Sequence, residues 1–186
     1  MKTNNTKLKF AIISIVLISL TRFIPHPPNF TAIGAMALFG GAVLNKDKWL
    51  ALLIPMTALF LSDLLVNNIL YSSFHDSFVY FTEGGAFIYS GFAFMVLLGS
   101  SLAKNNKLSG VLSSSVVGSL VFFAITNFGV WFGSPMYTND FAGLMTCYAA
   151  GMPFLLNTFA GTLFYSAVLF GAKAYASKRA PELAKA

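Results

Sequence analysis

Residues 108–130 read LSGVLSSSVVGSLVFFAITNFGV, a run of 23 residues without a charged side chain. A helix needs about 20 consecutive apolar residues to cross the hydrocarbon core of a bilayer. This stretch therefore predicts a transmembrane helix. The composition of the 186-residue chain agrees, because 56% of its residues are hydrophobic and only 10% are charged. A soluble domain has about 25% charged residues.

Six apolar segments, of which this stretch is the fifth, predict an all-α integral membrane protein, a bundle of about six transmembrane helices in a single domain, residues 1–186. The predicted helices are residues 9–24, 31–44, 49–66, 84–103, 108–130 and 152–175. Residues 25–28 end the first helix, because prolines lack a backbone donor and restrict the preceding residue. The first two segments are short for a span, and they need surrounding protein or a thinner membrane. The aromatic connections 69–83 and 131–151 are predicted to form interfacial helices or lids.

Basic residues sort to one side when six helices are drawn. The eleven that share a side are Lys2, Lys7, Lys9, Lys46, Lys48, Lys104, Lys107, Lys173, Lys178, Arg179 and Lys185. The other side holds Arg22 with Asp63, Asp76, Glu83 and Asp140. The positive-inside rule makes the lysine side cytoplasmic and predicts that both termini are cytoplasmic. The basic start followed by residues 10–20 also resembles a signal peptide, but its cleavage site is poor, so we expect the first helix to be retained.

Polar side chains that are costly in a membrane gather toward the predicted outer face. They are Arg22, Asp63, Asn127 and Asn157, each near the outer end of a predicted helix. One interpretation is an outward pocket in which these four groups bind a small-molecule substrate. The alternative is an Arg22–Asp63 ion pair with interhelical amide hydrogen bonds that only hold the bundle together.

Aromatic residues of the two long connections extend the pocket interpretation. Trp131, Tyr137 and Tyr80 would stack on a flat ligand, although aromatic residues also collect at any membrane interface. Small residues share a face of the second helix, including Ala37 and Gly41. Such faces let helices approach closely in lipid, either within one chain or against a partner membrane protein. Ala37 and Gly41 are therefore the candidate partner-docking residues.

Several activities lack the residues that they need. The single cysteine, Cys147, has no CxxC partner and lies far from both histidines, so we expect a buried apolar role and no metal site. There is no P-loop, HExxH or GxSxG sequence, which argues against ATP hydrolysis and against an enzyme. The scattered lysines do not indicate nucleic-acid binding. No cofactor is expected.

Short distinctive stretches also support a family resemblance. They are residues 22–30 (RFIPHPPNF), 35–42 (AMALFGGA), 126–131 (TNFGVW), 143–144, 147–148, 153–154 and 157–158. With these, nearly the whole chain resembles an uncharacterised bacterial family of small membrane proteins with a suggested role in transport. By size, topology and outer polar cluster, that family resembles the substrate-binding S components of energy-coupling-factor (ECF) transporters.

The resemblance implies a function and a location. S components are six-helix proteins with cytoplasmic termini that bind a vitamin in an outward pocket and work with a membrane T subunit and ATPases. It therefore implies a multi-pass protein of the bacterial cytoplasmic (inner) membrane that captures a vitamin-like molecule for uptake. The alternative is a membrane structural or assembly protein without a ligand.

Overall fold

The computed structural model describes residues 5–102 and 108–183, with the side chain of Glu182 left out, and in this part the chain is all-helical, without strands. The six α-helices are α1 Asn5–Leu20, α2 Ile33–Val43, α3 Lys48–Leu65, α4 Gly85–Leu102, α5 Leu108–Gly133 and α6 Phe141–Ser177. Short helical turns at Thr21–Phe23 and Val66–Leu70 continue α1 and α3. The predicted all-α class is confirmed.

Helix α2 lies at the centre of the bundle and packs against the other five helices. Every residue from Gly34 to Val43 is buried, so this helix is apolar and enclosed on all sides. Its closest neighbour is α4. A Cβ atom added at Gly41 would overlap the Val96 carbonyl oxygen, and one added at Gly99 would overlap the Leu38 carbonyl oxygen. The two backbones therefore cross in direct contact, which only glycine permits.

This crossing corrects one prediction. Ala37 and Gly41 were expected to dock a partner subunit, but both are buried inside the chain and Ala37 is 0% exposed. Gly41 faces the backbone of α4. The small-residue face therefore serves packing within the chain.

Helix α6 differs most from its prediction. It begins at Phe141 instead of residue 152, and it runs through Pro153 for 37 residues. Asp140 caps its first turn, because Asp140 Oδ1 accepts hydrogen bonds from the Gly143 N–H at 2.7 Å and from the Thr138 hydroxyl at 2.9 Å. These hydrogen bonds hold the pKa of the exposed Asp140 carboxyl below its ordinary value. The predicted connection 131–151 is thus mostly helix, and it narrows to residues 134–140.

Four helical segments are long and apolar enough to cross a membrane: Lys48–Leu70, Gly85–Leu102, Leu108–Gly133 and Phe141–Ser177. The chain is therefore compatible with a multi-pass membrane protein. Helices α1 and α2 have 16 and 11 residues. Since an α-helix rises about 1.5 Å per residue, α2 is about 17 Å long, little more than half of the hydrocarbon core.

The two ends of the bundle differ in charge. At one end Lys7 lies close enough to Lys46 and to Lys173 for their charges to repel, and we call this the lysine end. At the opposite ends of α1 and α3, Arg22 meets Asp63, and we call this the Arg22 end. Four of the lysines that were sorted by charge lie outside the described residues: Lys2, Lys104, Lys107 and Lys185.

Candidate ligand-binding cavity

A cavity of about 500 Å³, partly open to the surface, lies at the Arg22 end. Its polar lining includes Arg22, Asn29, Thr31, Asp63, Asn67, Thr82, Glu83, Thr126, Asn127, Tyr137, Thr158 and Thr162. Its apolar lining includes Ile33, Leu59, Val66, Ile88, Met95, Phe122, Val130, Cys147 and Phe154. Apolar walls with a few placed polar groups are typical of small-molecule sites, and the volume falls within their usual range of about 300–1,000 Å³.

The ion pair of Arg22 and Asp63 forms one wall. Arg22 Nη1 lies 2.6 Å from Asp63 Oδ1, and the two side chains are only 12% and 10% exposed. Arg22 Nη1 also donates to Ser62 Oγ at 2.5 Å, and the Tyr89 hydroxyl donates to Asp63 Oδ2 at 3.4 Å. Both carboxylate oxygens are therefore engaged, so the charge of Asp63 is compensated without a ligand.

Asn127 lines the cavity from α5, where this helix faces α6. Its Nδ2 donates to the Phe123 carbonyl one turn earlier, at 2.9 Å. Gly151 of α6 makes room for the amide, because a Cβ atom there would overlap Asn127 Oδ1. Within the described residues no donor reaches Asn127 Oδ1. This acceptor is therefore free to bind a ligand.

The other predicted site residues divide between the cavity and the surface. Tyr137 lines the cavity. Trp131 does not line it, and its ring N–H instead donates to the Thr138 carbonyl at 2.9 Å. Asn157 is also outside the lining, and its Nδ2 donates to the Pro28 carbonyl at 2.8 Å, tying α6 to the loop after α1. Tyr80 is 67% exposed and packs on Phe78.

The loop between α1 and α2 reaches the cavity through a tight turn. Asn29 has a φ of 62°, a left-handed conformation that asparagine tolerates better than most residues. The Phe30 N–H donates to the Pro27 carbonyl at 3.0 Å and closes the turn. The prolines that end α1 thereby lead into a turn that brings Asn29 and Thr31 to the cavity.

A second segment, residues 71–84, covers part of the cavity, and we call it the rim segment. Tyr71, Thr82 and Glu83 from this segment line the cavity. Two amides that follow α3 hold it in place. Asn68 exchanges hydrogen bonds of 2.8 Å with the backbone N–H and carbonyl of Val79, and Asn67 Nδ2 donates to Thr82 Oγ1 at 2.9 Å.

Several lining residues were not singled out from the sequence. Gly151, Thr158 and Thr162 lie on one face of α6, at intervals of seven and four residues. Hydroxyl residues in a helix can bond their own backbone, as Thr158 does to Phe154, so they do not carry the cost that marks Arg22 or Asp63. The one signal in the sequence that could have identified them is their helical spacing of seven and four residues, and it is recognised only if the helix is taken to continue through Pro153.

The cavity offers groups that can recognise a small molecule. It combines a paired arginine, a free amide oxygen, hydroxyl groups and aromatic rings, which can orient a small molecule by hydrogen bonds and stacking. Cys147 is 2% exposed, and its thiol donates to the Asn127 carbonyl at 3.4 Å, which confirms the buried role predicted for it. Within the described ranges 5–102 and 108–183, no three His, Cys, Asp or Glu side chains group to hold a metal ion.

Fold and cavity together define a class of protein: in the described residues it is all-helical, with apolar helices of membrane-spanning length around a cavity whose apolar walls carry a few polar groups. Comparison with family models places the chain more narrowly. Residues 2–183 match a family of unknown function (DUF6580), and the chain belongs to that family. No curated protein and no solved structure matches it.

Proposed function

We propose that this protein is a substrate-binding membrane subunit, like an S component, that captures a small vitamin-like molecule for uptake. One observation carries the proposal: three costly polar side chains from three different helices, Arg22, Asp63 and Asn127, line one cavity of about 500 Å³. A chain that needed only cohesion would gain more by filling this space, since cavities cost stability. The resemblance to ECF S components is consistent with such a role.

The proposal includes six spans with both termini in the cytoplasm of a bacterium, in its inner membrane. The lysine end supports this orientation, because Lys7, Lys46 and Lys173 come together there while Arg22 lies at the other end. The positive-inside rule then makes the lysine end cytoplasmic and opens the cavity outward. Helix α2 lies inside protein, where its short length does not need to match the bilayer.

Uptake requires a source of energy, and we propose a T-type membrane subunit with ATPases as partners. The buried face of Ala37 and Gly41 is not their docking site. Exposed apolar side chains such as Leu53, Leu97 and Leu156 face the surroundings of the bundle, which supports contact with the lipid bilayer.

The second candidate is a membrane structural protein without a ligand. It is favoured by the Arg22–Asp63 pair, whose carboxylate is satisfied within the chain, and by the Asn157 hydrogen bond to the Pro28 carbonyl. Both interactions join segments that are distant in sequence. They do not account for the open space beside them or for the free Asn127 Oδ1.

Mass spectrometry of small molecules that co-purify with the protein in mild detergent tests the proposal. We expect one compound at near-stoichiometric amount with the native chain and its loss with Asn127→Ala. Thr146→Ala is the matched control, because Thr146 is exposed on α6 and bonds only its own helix. If the native chain carries no compound and Asn127→Ala leaves uptake intact, the structural role replaces the proposal.

A further inference from the structure

The charges around the cavity are unbalanced. Among its lining residues, Arg22 and Asp63 neutralise each other at 2.6 Å, and Glu83 remains. Within the described residues no cation lies within ion-pair distance of Glu83. Asp76 of the rim segment and Asp140 of the connection 134–140 lie outside the cavity lining, and neither of these two segments contains a lysine or arginine. A ligand that enters therefore meets a region of net negative charge.

The hydrogen-bonding groups left free in the cavity give a second criterion. Asn127 Oδ1 is an acceptor without a partner, so it calls for an N–H or O–H group on the ligand. Of the three guanidinium nitrogens of Arg22, only Nη1 has a hydrogen-bond partner among the described residues. The N–H groups of the other two nitrogens therefore remain available as donors. Because Asp63 already neutralises the guanidinium, these donors suit an uncharged carbonyl better than a carboxylate needing full charge compensation.

The rings in the lining give a third criterion. Phe122, Phe154 and Tyr137 lie around the same space. Aromatic faces attract flat rings and cations, because the ring face carries the negative part of its quadrupole. They give no such attraction to an anion.

From these three criteria we infer that the cavity selects a ring compound without negative charge, uncharged or cationic, that presents an N–H group to Asn127, and that it excludes carboxylates and phosphates. The inference rests on the proposed ligand-binding function and narrows its substrate class. The unpaired Glu83 contributes to the charge selection together with the neutralised Arg22 and the ring faces, and Asn127 is the source of the donor selection.

Three nearly isosteric probes separate charge from shape: benzamidine is cationic, benzamide is neutral and benzoate is anionic at pH 7. Binding of each to the full chain in mild detergent can be measured by calorimetry. We expect benzamidine and benzamide to bind at least about tenfold more tightly than benzoate, because the Glu83 charge, the neutralised Arg22 and the ring faces all act against an anion. Asn127→Asp should strengthen benzamidine binding and weaken benzoate binding further.

Variants that remove one charge test which residue produces the preference for benzamidine over benzoate. Glu83→Gln should reduce the ratio of benzamidine to benzoate affinity by about threefold, less than a buried charge would because Glu83 is exposed. Lys48→Gln is the control, since this exposed side chain lies at the start of α3, away from the cavity, and should leave the ratio unchanged.

The outcomes distinguish this inference from the function beneath it. Benzoate binding as tight as that of benzamide overturns the charge selection and leaves a ligand-binding protein. If all three probes fail to bind, the charge of the co-purified compound decides: an anion overturns the inference, and a neutral or cationic compound supports it. Failure of every probe, with no co-purified compound and with uptake unchanged by Asn127→Ala, removes the proposed function, and the inference with it.

Discussion

Two regions of the bundle use glycine in opposite ways. At the α2–α4 crossing, Gly41 and Gly99 each face backbone carbonyls of the other helix, and the space between the helices is closed. At the cavity, Gly151 faces the side-chain oxygen of Asn127, and the space beside it stays open. The same residue type thus brings two backbones together in one region and leaves room for a polar side chain in the other. A small residue in an apolar helix therefore indicates that another part of the chain comes close to the helix. It does not indicate whether that part is a backbone or a side chain.

The largest loss of stability is expected when the Arg22–Asp63 ion pair is broken, because this pair holds together one wall of the open cavity. Asp63→Leu leaves Arg22 buried without its partner and should destabilise the chain by about 3–5 kcal/mol. Adding Arg22→Met should recover most of that loss, because two apolar side chains replace two charges. Thermal unfolding in detergent, followed by tryptophan fluorescence, measures both. Asp76→Leu, at an exposed carboxylate outside any described ion pair, is the control, and an equal loss there would contradict the role of the pair.

Gly41→Ala tests the closed region. The new Cβ atom meets the Val96 carbonyl oxygen, which cannot rotate away, so α2 and α4 must separate. Overpacking of this kind costs about 1–3 kcal/mol, and we expect the upper end. In the same unfolding assay, Gly171→Ala is the matched control, because no atom lies within 4 Å of its added Cβ. A Gly41→Ala protein as stable as the control would show that the crossing is looser than described.

Gly151→Ala tests the open region and should separate binding from stability. Its Cβ atom meets the tips of two side chains, the Asn127 amide and the edge of the Phe123 ring, and no backbone atom, so the fold should change by about 1 kcal/mol while the amide turns away from its position. Ligand affinity should then fall about tenfold, the loss of one well-placed hydrogen bond. Calorimetry with benzamide measures this change, again beside Gly171→Ala. A large loss of stability with unchanged affinity would reverse the assignment of the two regions.

The smallest loss of stability is expected at Asp140, which caps the first turn of α6, a part of the helix that the sequence did not predict. Asp140→Ala should lower the unfolding temperature slightly at pH 7, and Asn139→Ala should not. Because the folded pKa of Asp140 lies below its ordinary value of 3.8, the capping contribution is complete above pH 3.8 and is lost as the pH falls through the folded pKa. The difference between the two variants should therefore vanish in strong acid, and a constant difference would rule out the carboxylate as its source.

Much of the fold could be predicted from the sequence, because a long apolar run without charge gives a strong signal. The start of α6 was missed because the aromatic stretch 131–151 was assigned to a connection, although Asp140 before an apolar run is itself a start signal. Proline inside a helix costs about 3 kcal/mol, but neighbouring helices can offset that cost.

The cavity was only partly predictable. Arg22, Asp63 and Asn127 were identified by the cost of burying them, and they line one space. Asn157 was selected by the same reasoning and Trp131 for its aromatic ring, yet both lie outside the lining because the rotation of each helix decides which way a side chain points. Gly151 and Thr162 gave no signal of cost. The contacts of small residues depend on the register between helices, which one sequence does not specify.

The side-chain amides of Asn67 and Asn68 affect the rate at which a ligand could enter and leave the cavity. They fasten the rim segment by its backbone and by Thr82, so the segment moves only when these hydrogen bonds open together. In a binding protein, opening of the rim would then limit how fast a ligand enters and leaves the cavity. Loosening Asn68 would raise the association and dissociation rate constants, while the rim residues Tyr71, Thr82 and Glu83 would still contribute to affinity from the cavity lining.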